Sequence, residues 1–326
     1  MTGLSDSFQR PINYLRISVT DRCNLRCVYC MPESGIQMLP HRDILSYEEI
    51  GTVVKAAAGL GVTKVRISGG EPLIRSDLPR LVSLISKIDG IDDLALTTNG
   101  ILLEQHAARL KEAGLKRVNV SLDSLRPERF NQITRRGSLD AVLRGIETAR
   151  KVGLNPVKIN MVVLKGTNDD EVVDFALKTI RDGWNVRYIE IMPIGDNGSA
   201  SRFVSTAETK AKLAALGELQ SCQTKVGNGP ARYFKLPGAS GTIGFISALS
   251  EHFCFCCNRL RLTANGRLRP CLMSDDEIDL REKLRSGASI EDISALIRQA
   301  IAAKPERHHL LEGGPAPKKP MAQVGG

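Results

Sequence analysis

Several things are scarce in this chain of 326 residues. Aromatic side chains make up only 4% of it, with one tryptophan. That argues against a stacking platform for single-stranded nucleic acid, which presents an aromatic ring to each base. No stretch approaches the roughly 18 consecutive apolar residues that a membrane span needs. Residues 1–13 (MTGLSDSFQRPIN) lack the apolar core of a secretory signal. There is also no long run of like charge, although 45 Lys and Arg against 36 Asp and Glu leave a net charge of +9. Scattered cations without a basic tail suit a small polyanion better than nucleic acid. A cytoplasmic protein that engages neither nucleic acid nor a membrane is expected, as a monomer or a homodimer.

What is present is cysteine. Eight cysteines in a chain without an export signal read as metal ligands or thiols rather than disulfides. Around them, short β-rich runs alternate with amphipathic stretches. The runs are Tyr14–Val19, Lys64–Ser68, Leu94–Thr98, Arg117–Leu122, Lys158–Leu164 and Arg187–Met192. Helices are expected over Ser46–Gly59, Asp77–Ile88, Glu104–Ala113, Leu139–Lys151 and Asp169–Thr179, with Ser46 and Glu49 as a capping box. This alternation predicts an α/β fold with a parallel sheet covered by helices. Six βα units in about 200 residues fit a partial (β/α)6 barrel, although periodicity alone does not separate it from a doubly wound open sheet.

The organisation changes near residue 195, dividing the chain into 1–195 and 196–326. After a polar linker, Gly195–Ser201, come a helix (Thr206–Leu216) and shorter strands at Ala231–Leu236, Thr242–Ile246, Leu260–Thr263 and Leu268–Cys271. Asn265-Gly266 signals a hairpin turn. Helices are expected near Asp279–Leu284 and Ile290–Ala302, and the Pro-, Gly- and Lys-rich tail from Pro305 to Gly326 is expected to be mobile.

Cys23, Cys27 and Cys30 form C-x3-C-x2-C just after the first strand. Soft thiolates select iron–sulfur clusters, zinc or Cu(I). Structural zinc wants four ligands, and the nearest histidine, His41, is eleven residues on, so zinc would need a distant fourth ligand. Three thiolates on a four-iron cluster leave one iron open to bind a small molecule. This spacing, with Tyr29 before the third cysteine and Gly69-Gly70-Glu71-Pro72 after the second strand, resembles the radical S-adenosylmethionine superfamily. The resemblance implies a [4Fe–4S] cluster whose open iron chelates S-adenosylmethionine, reductive cleavage of that cofactor, and hydrogen abstraction by the resulting 5′-deoxyadenosyl radical.

A second triad, Cys254, Cys257 and Cys271, lies in FCFCCNRLRLTANGRLRPC. A zinc ribbon would want two CxxC pairs, and His252 is a poor substitute. This segment, with the terminal Gly325-Gly326, is similar to the molybdenum cofactor biosynthesis family of GTP 3′,8-cyclases, and the similarity extends over about residues 8–326. What it implies is specific: a radical lyase with a C-terminal α+β extension that closes the barrel and carries a second [4Fe–4S] cluster, which binds GTP. The implied GTP contacts are Arg16, Arg66, Thr97, Lys158, Arg259, Leu260 (through its backbone) and Arg261. Those to S-adenosylmethionine are Tyr29 (through its backbone), Gly70, Ser121 and Met192, and Gly325 and Gly326 form a tail that enters the site. A cyclic pyranopterin monophosphate synthase would act downstream, with a reduced flavodoxin- or ferredoxin-type electron donor. Cys256 and Cys222 are expected to be unligated, and Lys64 is a weaker candidate sharing a face with Arg66. A peptide-modifying radical maturase is the nearest rival, and a non-catalytic iron–sulfur or zinc module binding RNA is a second.

Overall fold

The structure, a computed structural model, describes residues 4–195, 199–223 and 229–325. Six strands follow the chain in order: β1 (Tyr14–Ser18), β2 (Lys64–Ser68), β3 (Asp93–Thr98), β4 (Arg117–Ser121), β5 (Lys158–Val163) and β6 (Asn185–Glu190). All pair in parallel with their sequence neighbours. Parallel neighbours need crossovers, and helices supply them: α1 (Tyr47–Gly59), α2 (Leu78–Ser86), α3 (Leu103–Glu112), α4 (Pro127–Thr134), α5 (Leu139–Lys151) and α6 (Val172–Arg181). Ser46 and Glu49 cap α1 reciprocally, at 3.1 and 2.6 Å.

The C-terminal part joins the same sheet. After α7 (Thr206–Leu213) come β7 (Gln220–Ser221), β8 (Arg232–Lys235), β9 (Thr242–Ile246), β10 (Arg259–Leu262), β11 (Arg267–Arg269) and β12 (Ile278–Asp279). Strand β9 pairs in parallel with β6, and β10 pairs in parallel with β1. The order across the sheet is β12-β11-β10-β1-β2-β3-β4-β5-β6-β9-β8-β7, so the extension builds both flanks of a partial, open barrel. Helices α8 (Arg281–Arg285) and α9 (Ile290–Ala302) follow, the latter beside α1, and then a short α10 (Met321–Val324).

Strand alternation decides what each face carries. In β1, Leu15 and Ile17 join the apolar layer under the helices, while Tyr14 and Arg16 face the interior cavity. In β2, Val65 and Ile67 do the former, and Arg66 and Ser68 the latter. The hydrophobic core therefore lies between sheet and helices, and the barrel interior sets cations such as Arg16 and Arg66 among apolar residues such as Val162, Ile189 and Phe253.

Four expectations need correction. The sixth strand begins at Asn185 and ends at Glu190, so Met192 lies in the loop beyond it. The helix expected at 279 starts at Arg281, because Ile278 and Asp279 pair with β11. Helix α4 escaped the periodicity reading. The tail is anchored rather than loose through Gly325. Ala322 and Val324 are buried, Gly195 N–H donates to the Pro317 carbonyl (2.9 Å), and Lys319 pairs with Glu277 (2.6 Å). Within the polar linker, residues 196–198 lie outside the described residues, as does Gly326.

Candidate active site

The first triad occupies the loop leaving β1. Gly70 and Glu71 hold that loop. Gly70 N–H donates to the Thr20 carbonyl (2.7 Å) and Glu71 N–H to that of Arg22 (2.8 Å). A Cβ on Gly70 would lie 2.3 Å from the Arg22 carbonyl oxygen, so only glycine permits this approach. Glu71 in turn accepts from Leu73, Asn99 and Thr98, yet burial pushes its carboxyl up to about 7. Burial also pushes the Cys23 thiol up to about 11 and that of Cys30 to about 12, the latter together with the neighbouring Cys23, and raises Cys27 further. The Ala322 N–H of α10 reaches the Cys30 sulfur.

The second triad is assembled by a hairpin. Cys254 and Cys257 precede β10, and Cys271 follows β11. These strands are antiparallel, with Arg261 opposite Arg269, and Gly266 makes the turn at φ +79°. Extending that register by two sets Cys271 opposite Arg259, two residues from Cys257. Burial raises the Cys257 thiol, but Arg259 and Lys304 outweigh it and bring it down to about 6. Cys256 is exposed, and neither it nor Cys222 lines the cavity that holds the triads.

Both triads line one cavity, from opposite ends of β1. The first follows Ser18, and the second precedes Arg259, which is paired with Tyr14. Four residue steps of strand separate those ends, about 13 Å. Between them, Arg261, Arg16 and Arg66 stand side by side on β10, β1 and β2. Burial and mutual repulsion drive Arg16 well below its ordinary value, and burial brings Arg66 to about 10 and Arg261 to about 9. Among the described residues of the wall, six cations (Arg16, Arg66, Arg187, Arg259, Arg261, Lys304) face one carboxylate, Asp123. The buried Nε atoms of Arg66 and Arg187 and Oδ1 of Asn160 have no partner among the described residues. Such a wall is unfavourable when empty and suits a polyanion with further hydrogen-bonding groups.

Of the residues read from the sequence, Tyr29, Gly70, Ser121 and Met192 line this cavity, as do Arg16, Arg66, Thr97, Arg259 and Arg261. Lys158 and Leu260 do not. Lys158 is buried and donates to the Tyr233 hydroxyl (3.0 Å), with burial lowering it to about 8. The Leu260 side chain is in the core, which leaves only its backbone for a ligand. The Gly325 carbonyl accepts from Arg261 Nη1 (2.9 Å), and a Cβ on Gly325 would lie 2.9 Å from Ser18 Cβ.

Comparison with known proteins sorts these features. The radical SAM superfamily model matches residues 17–178, and the Molybdenum Cofactor Synthesis C model matches residues 184–310. A GTP 3′,8-cyclase of Pelotomaculum thermopropionicum is 56% identical over 99% of this chain and 100% of its own length. The chain belongs to the GTP 3′,8-cyclase family. A second such cyclase, from Heliobacterium modesticaldum, is 52% identical over 98% of this chain and 99% of its own. Among solved structures, Streptococcus suis SuiB bound to S-adenosylmethionine superposes with a TM-score of 0.63 at 14% identity, covering 94% of this chain and 75% of that one, a likeness of fold alone. Membership in the GTP 3′,8-cyclase family makes the protein a radical S-adenosylmethionine enzyme and implies a [4Fe–4S] cluster with that cofactor. The donor chemistry fits, since the cavity offers three thiols from one tight loop and, at its other end, three more. Among the described residues no helix is long and apolar enough to cross a membrane.

Sequence reading of the GTP 3′,8-cyclase site missed several cavity residues. Arg187 donates to Asn119 Oδ1 (2.7 Å) opposite Gly244, where a Cβ would lie 3.0 Å from Arg187 Cγ. The signal was available, a cation between apolar residues in a strand, as for Arg16 and Arg66. Asp123 accepts from the Tyr29 hydroxyl (2.7 Å) and Val162 N–H (2.8 Å), pinning the first cysteine loop to β5. Nothing local in the sequence marks that pairing.

Proposed function

We propose that this protein converts GTP to 3′,8-cyclo-7,8-dihydro-GTP for molybdenum cofactor biosynthesis, with GTP held between a cluster on Cys23, Cys27 and Cys30 and a second [4Fe–4S] cluster on Cys254, Cys257 and Cys271. The observation that carries this reading is the row Arg261–Arg16–Arg66 between two thiol triads. A triphosphate brings about four negative charges, and guanidinium groups grip phosphate oxygens in planar forks.

The first cluster and S-adenosylmethionine, when bound, would supply a carbon radical able to take the C3′ hydrogen of GTP, and closure of C3′ onto C8 would then need one further electron and one proton, from the reduced donor and solvent, to give the dihydro product. The chain's own residues orient and shield. Tyr29, fixed by Asp123, together with Gly70, Ser121 and Met192, holds the cofactor over the first loop. Arg16, Arg66, Arg259 and Arg261 hold the triphosphate, with Thr97 and the Leu260 backbone completing the substrate's surroundings, while Lys158 would reach the substrate only by leaving its bond to the Tyr233 hydroxyl. The Gly325 carbonyl orients Arg261, and Gly325 closes this side of the site. The reading brings with it a reduced flavodoxin- or ferredoxin-type donor and a cyclic pyranopterin monophosphate synthase that consumes the product. Anaerobic reconstitution is expected to give about eight irons per chain and GTP-dependent release of 5′-deoxyadenosine. Four irons, or one zinc without iron, would sink the two-cluster reading.

A further inference from the structure

The segment after α9 grips the second triad from behind. Lys304 is 3% exposed. Its ammonium donates to the Arg259 carbonyl (3.0 Å) and the Pro270 carbonyl (2.7 Å). Arg259 is two residues past Cys257, and Pro270 directly precedes Cys271. One ammonium thus ties together the two arms of the hairpin that carry these cysteines. Beside it, Arg10 donates to the carbonyls of Cys254 (2.7 Å), Pro305 (2.7 Å) and Glu306 (2.6 Å), tying the third cysteine to the same segment. The backbone N–H of His308 favours the Cys254 thiolate.

The two cations differ in one respect. Arg10 is balanced by the buried carboxylate of Asp6, at 2.6 Å. Among the described residues Lys304 has no carboxylate within ion-pair distance, only its two carbonyls. A buried ammonium without a counter-charge costs several kcal/mol, so the site is built for an anion at that place. It lines the same cavity as the thiols of the second triad and lies near enough to Cys257 to favour that residue's thiolate. Three thiolates on a four-iron cluster carry net negative charge in either common oxidation state, and nearby charge and hydrogen bonds are among the means by which a protein sets a cluster's potential.

We infer that Lys304 is a positioning residue for the second cluster: its charge compensates the cluster's, and its two carbonyl bonds keep the Cys257 and Cys271 arms in register. This rests on the two-cluster reading. It extends that reading by naming the residue that makes the second cluster reducible and retained.

The test uses the full chain with Cys23, Cys27 and Cys30 changed to serine, so that only the second cluster is present. Iron content and an EPR-monitored redox titration are compared for Lys304, Lys304→Met and Lys304→Arg. The methionine variant is expected to lower the equilibrium constant for one-electron reduction at least tenfold, about 59 mV towards more negative potential, with the arginine variant close to the parent. Loss of iron from the methionine variant alone, with arginine retaining it, supports the same requirement for charge. In the complementary background, with Cys254, Cys257 and Cys271 changed to serine, Lys304→Met should leave the first cluster's potential unmoved. Unchanged iron and potential in the methionine variant would overturn the inference. So would equal losses in the methionine and arginine variants, or equal shifts at both clusters. If the parent triple-serine chain takes up no iron, the two-cluster reading itself has failed before Lys304 is touched.

Discussion

Replacing Arg16 by methionine should make the ligand-free protein more stable and the substrate complex much weaker. Arg16 lies between Arg261 and Arg66 on adjacent strands in matching register. Strands are about 4.8 Å apart, so guanidinium groups that splay into the cavity are about 6–7 Å from each neighbour. At an effective dielectric near 20 each repulsion is about 2.5 kcal/mol, a ceiling that water in the cavity roughly halves. Methionine keeps the apolar stem and gives up one long hydrogen bond, Arg16 Nε to Ser68 Oγ at 3.3 Å, worth about 1 kcal/mol. The net gain is about 1–3 kcal/mol, a rise in melting temperature of about 1–4 °C for a chain of this length. Losing a charge-assisted phosphate contact costs the complex about 2–5 kcal/mol, or about 30-fold to several thousand-fold in affinity. Thermal melts without GTP and equilibrium dialysis with GTP measure the two effects separately. A variant that melts lower and binds GTP as before would refute the reasoning, because it would make the row a structural feature instead of a ligand site.

Other perturbations separate the parts of the site. Gly70→Ala places a Cβ against the Arg22 carbonyl and should displace the first cysteine loop, so iron falls from about eight towards four per chain while the second cluster's spectrum persists; full iron loading would contradict this. Asp123, raised by burial from 3.8 to about 6, contributes stability that is fully present below pH 4 and is lost as pH rises through 6, up to about 3 kcal/mol. Asp123→Asn should flatten that slope in urea denaturation of the metal-free protein between pH 4 and 7.5, and an unchanged slope would count against it. Deleting Gly325 and Gly326 should leave both clusters and S-adenosylmethionine binding intact while abolishing cyclisation, and full activity in the shortened chain would remove the tail from the mechanism.

The strands were legible because their inner and outer faces differ so sharply. Leu15, Ile17, Val65 and Ile67 mark the helix-covered side, while Arg16 and Arg66, set among them, mark an interior that must hold something charged. The cysteines were legible because each triad is local: one loop in the first case and one hairpin in the second. Contacts between distant segments were not legible. Asp123 meets Tyr29 across 94 residues, and Lys304 meets Arg259 across 45, with no pattern to announce either. The tail misled for a related reason. Its Pro, Gly and Lys content fits a mobile end, but Ala322, Val324 and the Lys319–Glu277 pair find partners that only the folded barrel supplies. Helix α4 has too short an apolar stripe, Phe130 and Ile133, for periodicity to reveal it.

The central claim, that a radical generated at the Cys23, Cys27, Cys30 end acts on GTP held by the arginine row, is tested most directly with GTP deuterated at C3′. The reconstituted protein, S-adenosylmethionine and reductant should yield 5′-deoxyadenosine carrying one deuterium per molecule of cyclised product. Undeuterated 5′-deoxyadenosine formed at the same rate with and without GTP would contradict the account.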